Sequence, residues 1–466
     1  MIQRGMALVF ATTLITSGSA AQSAPDSHVP ADAEIRKILA QRIDDFHQGV
    51  GIVAGVIEPQ GRRIVAYGAV NQGDTRPLNG DTVFEIGSVT KVFTSLLLSD
   101  MVQRGEVKLS DPAAKYLPAD VKLPERGGRV ITLVDLSTHT SGLPRMPSNF
   151  QPKDPSNPYA DYTIEQLYQF LSTYQLPRDI GSKFEYSNLG GALLGLALAR
   201  RAGMDYEPLV HSRITGPLGM KSTGITLTPE MKASLAVGHN DKLEVTSNWD
   251  LPTFAGAGAL RSSVNDMLTF LAANLAYVKS PLAAAMASMR ASRRTTGNPG
   301  TGEIGLGWLI VKPSSDEIVW HNGGTGGYRS FVGFVPSTRV GVVVLSNTFT
   351  ATGVDDIGMH LLDSHAPLIP PQKQHKEIAV DPKLFDAYVG QYQLAPNFIL
   401  TVTREEDKLF VQATGQPKFQ IFPEGALEFF LRDVDAQITF ETDSTGRAVS
   451  LVLHQNGRNV PGKRIQ

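Results

Sequence analysis

The stretch Ala366-Pro-Leu-Ile-Pro-Pro-Gln-Lys-Gln-His-Lys-Glu377 constrains the fold of this chain more than any other feature. It is proline-rich and polar, as linkers are, and the hydrophobic pattern changes across it. Before it, helix and strand patterns interleave. Ala31 to Gln48 carries Ile35, Ile38, Leu39, Ile43 and Phe46 on one helical face. Gly51–Ile57 and Arg63–Tyr67 alternate as strands around the turn Pro59-Gln-Gly61. Ser88 to Arg104 reads as a helix closed by Gly105, and Leu189 to Arg201 as a buried helix. Ile318–Trp320, Ser330–Val335 and Gly341–Leu345 read as further strands. These patterns predict an α/β body with a largely antiparallel sheet flanked by helices and an inserted helical region.

After the linker the pattern is short strands only: Phe398–Val402, Lys408–Gln412, Phe419–Phe422, Glu428–Leu431, Gln437–Glu441 and Val449–Leu453. Turn residues separate them, which predicts a small all-β barrel or sandwich. The expected organisation is a leader over residues 1–21, a body over 31–365, a linker over 366–380 and a β domain over 381–466. The leader rests on Arg4, the short apolar run Met6–Ile15 and the small residues Ser19-Ala20-Ala21, the pattern of an export signal. Export to the periplasm or medium is therefore expected, with no stable membrane span, since no apolar stretch is long enough.

The bulk numbers narrow the chemistry. A net charge of −2 gives no electrostatic case for nucleic acid or an anionic membrane. Cysteine is absent, which excludes disulfides, thiolate catalysis and Cys-based zinc sites. The histidines lack ligand-like spacing, so no metal or organic cofactor is expected. Nor is there a Gly-x-Ser-x-Gly elbow.

What remains is Ser88-Val-Thr-Lys91. A serine hydroxyl needs a base at hydrogen-bonding distance, and residues three apart on a helix share a face. Lysine serves as that base only if burial or a neighbouring cation lowers its pKa, and the apolar run after Lys91 makes burial plausible. Chance supplies such a spacing about once or twice in a chain of this length. Two companions make it a set. In Tyr186-Ser-Asn188, the tyrosine hydroxyl beside the lysine can shuttle a proton, and Asn188 can accept from Lys91 and donate to a substrate carbonyl. In His321-Asn-Gly-Gly-Thr-Gly-Gly327, placed between two strands, His321 is a donor or cation for substrate. Gly323 and Gly324 admit substrate backbone, with the N–H groups of Ser88 and Gly324 as an oxyanion hole. A phosphate-cradling reading of the glycine run fails, because the run precedes a strand and opens no helix. Tyr328 and Arg329 border it as candidates for the cleft wall, and His139 is read as a structural turn residue.

These three motifs, in this order, resemble those of the serine β-lactamase and penicillin-binding superfamily, and the tyrosine-containing second motif is similar to class C β-lactamases, DD-peptidases and β-lactamase-like esterases. Phe84–Lys91 and Ile131–Pro144 are similar to the same group, and the tail resembles lipocalin-like domains that follow some of its members. The resemblance implies a β-lactamase-like fold with Ser88, Lys91 and Tyr186 catalytic and Asn188, His321, Gly323 and Gly324 binding substrate. It implies an acyl-enzyme route on β-lactams or D-Ala-D-Ala peptides. The alternatives are an esterase or D-aminopeptidase of the same fold, or a penicillin-binding sensor that does not turn over. His321 stands where class C enzymes have lysine, and Asn322 where many relatives have threonine, which weakens the case for a substrate carboxylate at that motif. The partner is a small-molecule or peptide substrate; assembly into a homo-oligomer is left open.

Overall fold

The computed structural model describes residues 29–465 except 292–293, 299, 314–315, 371–374, 397, 433–435 and 456–457. The leader at 1–21 and linker positions 371–374 lie outside the described residues. The chain divides into two compact units after Pro370.

The first unit is built on an eight-stranded sheet. Its strands are β1 (Gly51–Glu58), β2 (Gly61–Gly68), β3 (Arg294–Thr295), β4 (Glu303–Ile304), β5 (Leu309–Val311), β6 (Ile318–Gly324), β7 (Arg329–Val335) and β8 (Val340–Ser346). The spatial order is β2-β1-β8-β7-β6-β5-β4-β3, antiparallel throughout. Both faces of the central strands are covered, so β1 and β8 read as continuous apolar runs. Ile52, Ala54, Val56, Val342 and Val344 face a core shared with α1 (Asp32–Ala40) and the late helix Asp355–Leu362. Val53, Ile57, Val343 and Leu345 face the main core. That core includes α2 (Thr90–Gln103), α3 (Asn188–Ala202) and α4 (Val264–Asn274), which all fall between β2 and β3 in sequence.

Three boundaries differ from the sequence expectation. The first helix stops at Ala40 and continues as a wide turn over Gln41–Asp45, where buried Arg42 pairs with Asp356 at 2.5 Å. Ser88 does not open a helix; it lies in a 3-10 turn, Gly87–Val89, one step before α2. The third motif is not a loop. β6 runs on through Gly324, and Asn322, Gly323 and Gly324 pair with Phe331, Ser330 and Arg329 of β7.

The second unit is a closed antiparallel barrel of eight strands. They are β9 (Gly390–Ala395), β10 (Phe398–Glu405), β11 (Lys408–Ala413), β12 (Lys418–Pro423), β13 (Glu428–Leu431), β14 (Ala436–Thr442), β15 (Ala448–Gln455) and β16 (Arg458–Arg464). Each pairs with the next, and β9 closes onto β16 through Tyr392–Arg464 and Gln393–Lys463. The sequence reading found the six inner strands and missed the first and last.

Candidate active site

The Ser88 turn and β6 are pressed together by glycine. Gly87 has φ +48°, and a Cβ there would fall 2.7 Å from the backbone nitrogen of Gly324. A Cβ on Gly323 would fall 2.1 Å from Ile86 O and 3.0 Å from the backbone nitrogen of Ser88. Side chains at either position would push the strand off the turn. Ser330 Oγ donates to Ile86 O at 2.8 Å and pins β7 to the same turn. The backbone nitrogens of Ser88 and Gly324 are thus held as neighbours, the arrangement that an oxyanion hole needs.

Lys91, in the first turn of α2, is 3% exposed. Its Nζ lies 3.0 Å from Ser88 Oγ, 2.9 Å from Asn188 Oδ1 and 2.7 Å from Ala257 O. Burial, and secondarily the Arg145 guanidinium, holds its pKa well below the usual lysine value. A neutral amine has two N–H groups and one lone pair. Asn188 Oδ1 and the Ala257 carbonyl can only accept, so they take both N–H groups. The lone pair is then left for the Ser88 hydroxyl. Thr94 Oγ1 donates to Gly256 O at 2.7 Å and holds the short helix Ala255–Gly258, which carries the Ala257 carbonyl, on α2.

Tyr186 and Asn188 come from the start of α3, where Ser187 is the N-cap. Ser187 Oγ accepts from Gly190 N at 2.8 Å and donates to Pro144 O at 2.6 Å. Lys91 Nζ lies 4.9 Å from the centre of the Tyr186 ring. Burial nevertheless pushes the phenol up to about 12, while a hydrogen bond to Ser88 and the Arg145 charge work the other way. Burial thus favours the neutral amine and the neutral phenol over the ammonium–phenolate pair that proximity alone suggests.

His321 is 1% exposed, and burial followed by the Lys91 charge lowers its pKa to about 4. It is neutral at neutral pH and not a cation for a substrate carboxylate. Its Nδ1 lies 2.6 Å from Asn322 O. A carbonyl only accepts, so Nδ1 carries the proton and Nε2 is an acceptor. The Asn322 side chain is not in the cleft; its amide donates to Asp355, whose carboxyl burial raises to about 6. Tyr328 is fully buried and donates to Ala236 O at 2.6 Å, while Arg329 donates to Thr350 O at 2.9 and 2.6 Å. Neither forms the cleft wall. A pocket lined by Ser88, Asn188, Gly324, Tyr159, Trp249 and Leu251 opens beside the serine. A far larger cavity of about 1220 Å³ lies beyond Trp249 and Leu251 and includes none of Ser88, Lys91 or Tyr186.

Two neighbours of the site were not among the sequence candidates. His139 is buried at φ +55°, and its Nδ1 accepts from Ser187 N at 3.1 Å. Its ring lies 4.5 Å from that of Tyr186. The turn read as structural therefore seats the second motif. The second is Arg145, whose guanidinium lies 5.2 Å from the Tyr186 ring centre. Its position one residue after Pro144, in the proline-rich excursion, gave no chemical signal.

The fold and this constellation define a class: an α/β enzyme fold in which a buried lysine lies at hydrogen-bonding distance from a serine. Comparison gives the family. Residues 37–364 match the beta-lactamase family, and residues 374–464 match one described as a domain of unknown function (DUF3471). The D-alanyl-D-alanine-carboxypeptidase/endopeptidase AmpH of Escherichia coli K12 is 31% identical over 382 residues, covering 78% of this chain and 97% of that protein. A penicillin-binding protein of Bacillus subtilis is 27% identical over 446 residues, covering 90% of this chain and 96% of its own. Among solved structures, a beta-lactamase/D-alanine carboxypeptidase from Yersinia pestis superposes with a TM-score of 0.63 at 27% identity, covering 72% of this chain and 97% of that one. A class C beta-lactamase from Rhodobacter sphaeroides gives 0.62 at 25% identity, covering 71% and 98%. The chain belongs to the beta-lactamase family and is a serine hydrolase of the β-lactamase/DD-peptidase type.

Proposed function

We propose that Ser88 is acylated by β-lactams or D-Ala-D-Ala-type peptides, with Lys91 as its base and Tyr186 as the proton shuttle. The Ser88 hydroxyl proton passes to the Lys91 lone pair as Oγ bonds to the carbonyl carbon. The N–H groups of Ser88 and Gly324 hold the oxyanion. Tyr186 gives its proton to the departing nitrogen, the carbon–nitrogen bond breaks, and the Lys91 ammonium returns a proton to the phenol. Water then releases the acyl group. Asn188 orients Lys91 and the substrate carbonyl, while Gly323, expected to admit substrate backbone, instead lets β6 close onto the Ser88 turn. The observation that carries this reading is the seat of Lys91, whose two acceptors Asn188 Oδ1 and Ala257 O leave its lone pair for the Ser88 hydroxyl at 3.0 Å. The names of AmpH and of the Bacillus protein support the substrate class. The short apolar N-terminus supports export.

A second reading, an esterase or D-aminopeptidase, draws on His321: a neutral imidazole at the third motif gives no charge for a carboxylate. Incubation with a fluorescent penicillin, a p-nitrophenyl ester and a D-alanyl dipeptide separates the two. Wild-type protein is expected to form a covalent adduct at Ser88 and Ser88→Ala none. An adduct that survives in Ser88→Ala would overturn the nucleophile assignment.

A further inference from the structure

We propose that Arg145 anchors a carboxylate of the substrate beside Tyr186, so that anionic peptides or lactams are selected by a cation of the Pro144 loop and not by the third motif. The proposal rests on the acyl-enzyme reading above and adds to it the group that confers specificity.

Three observations carry it. The main chain at Arg145 is fixed by the site itself, because its carbonyl accepts from Asn188 N at 3.0 Å and Leu189 N at 3.3 Å. Its side chain is exposed, and the guanidinium lies 5.2 Å from the Tyr186 ring centre. Among the described residues, no carboxylate or hydrogen-bond acceptor engages that guanidinium. Three other polar side chains near the third motif are committed elsewhere. Lys91 Nζ is held by three neutral partners, Asn322 by Asp355 and Arg329 by the Thr350 carbonyl. His321 is neutral.

The physical case follows from charge and shape. Arg145 and Lys91 approach the same phenol ring, and among the described residues no acid in contact with either offsets them. Burial favours the neutral form of Lys91, so Arg145 is the lasting cation of the two, and a bound anion supplies the counter-charge that no described neighbour gives it. A guanidinium presents a planar fork that matches a carboxylate with two parallel hydrogen bonds, which an ammonium cannot reproduce.

The test uses the full chain, with Arg145→Met and Arg145→Lys, on two matched substrate pairs. One pair is p-nitrophenyl acetate and p-nitrophenyl hydrogen succinate, which differ by a carboxylate on the acyl side. The other is acetyl-D-Ala-D-Ala and its C-terminal amide, which differ by one on the leaving-group side. The readout is the anionic-to-neutral ratio of kcat/KM. In Arg145→Met that ratio is expected to fall about tenfold for one pair, mainly through KM, and in Arg145→Lys by only about threefold. The pair affected tells which carboxylate is held. The acidic limb of acylation should also move to higher pH in Arg145→Met and stay in place in Arg145→Lys, because only the first removes a cation beside Lys91. A ratio unchanged within about twofold for both pairs in Arg145→Met overturns the anchor, whatever the pH limb does. Ester turnover that persists in Ser88→Ala would instead overturn the underlying hydrolase reading, so the two failures are distinct.

Discussion

In the barrel, Tyr388, Tyr392, Phe429 and Phe440 are buried against one another, with Tyr388 stacked on Phe440 at 4.8 Å and Phe429 edge-on to Phe440 at 5.5 Å. The polar tips of the tyrosines reach backbone carbonyls: Tyr392 donates to Tyr388 O at 2.7 Å and Tyr388 to Ala426 O at 2.8 Å. In the hydrolase body, Lys91, His139 and His321 are buried as deeply, yet each is a base. All three are pushed toward the neutral form, chiefly by burial. The two buried barrel tyrosines stay hydrogen-bonded, and burial raises their pKa so that they stay neutral, which stabilises a fold. The body buries groups whose protonation the surroundings have shifted, at a cost in stability under acid, and this is what proton transfer requires. The barrel interior also holds a cavity of about 70 Å³ between strands β10 to β15.

The comparison breaks most easily at Lys91. Lys91→Met keeps the buried stem and removes the base, and acylation of Ser88 is expected to slow by about 10³–10⁴-fold with the thermal transition of the body retained. Acylation that stays within tenfold of wild type would mean the base lies elsewhere. In the barrel the corresponding change is Tyr392→Ala, which deletes a fully buried ring. It should cost about 3–5 kcal/mol of barrel stability by denaturant unfolding, with the acylation rate of Ser88 held within about twofold. A large loss of acylation there would tie the barrel to the chemistry.

His321 sharpens the contrast through pH. Its folded pKa of about 4 lies below the usual 6.5, so the unfolded chain binds its proton more readily. Stability from this group is therefore present above pH 6.5 and is lost as pH falls toward 4. The loss amounts to about 3 kcal/mol. His321→Gln should flatten the fall in Tm across that window by a corresponding amount. An unaltered pH dependence would show that His321 is not held neutral.

The site was legible in the sequence where chemistry is written into residue type and spacing. Ser88 and Lys91 lie one helical turn apart, and Tyr186-Ser-Asn188 stands directly before an apolar helix. Neighbours that act through position were not legible. His139 bears on Tyr186 because a left-handed backbone residue turns its ring under the second motif, and no spacing rule carries that. Arg145 looks like one more loop arginine until α3 is folded back against its carbonyl. Glycine misled the reading of β6: Asn322-Gly-Gly324 has turn composition, but the close approach of Ile86 and Gly87 is what requires glycine in the strand. In the barrel, β16 was missed because Pro461 and Gly462 disfavour a strand inside Arg458–Arg464. β9 was missed although Tyr392 and Leu394 alternate with glutamines, because its run is short and polar. The chain needs both strands to close the barrel, so closure itself was the part that local pattern left out.

The most direct test of the account is the rate at which Ser88 is acylated by a chromogenic β-lactam as a function of pH, from about 5 to 11. A buried lysine whose pKa lies well below the usual 10.5 loses its proton at correspondingly lower pH. The account predicts a rate that rises along an acidic limb lying well below 10.5 and is level by about pH 10. A rate that climbs about tenfold per pH unit up to pH 10 would show an ordinary protonated lysine, and would contradict the claim that burial has made Lys91 the base.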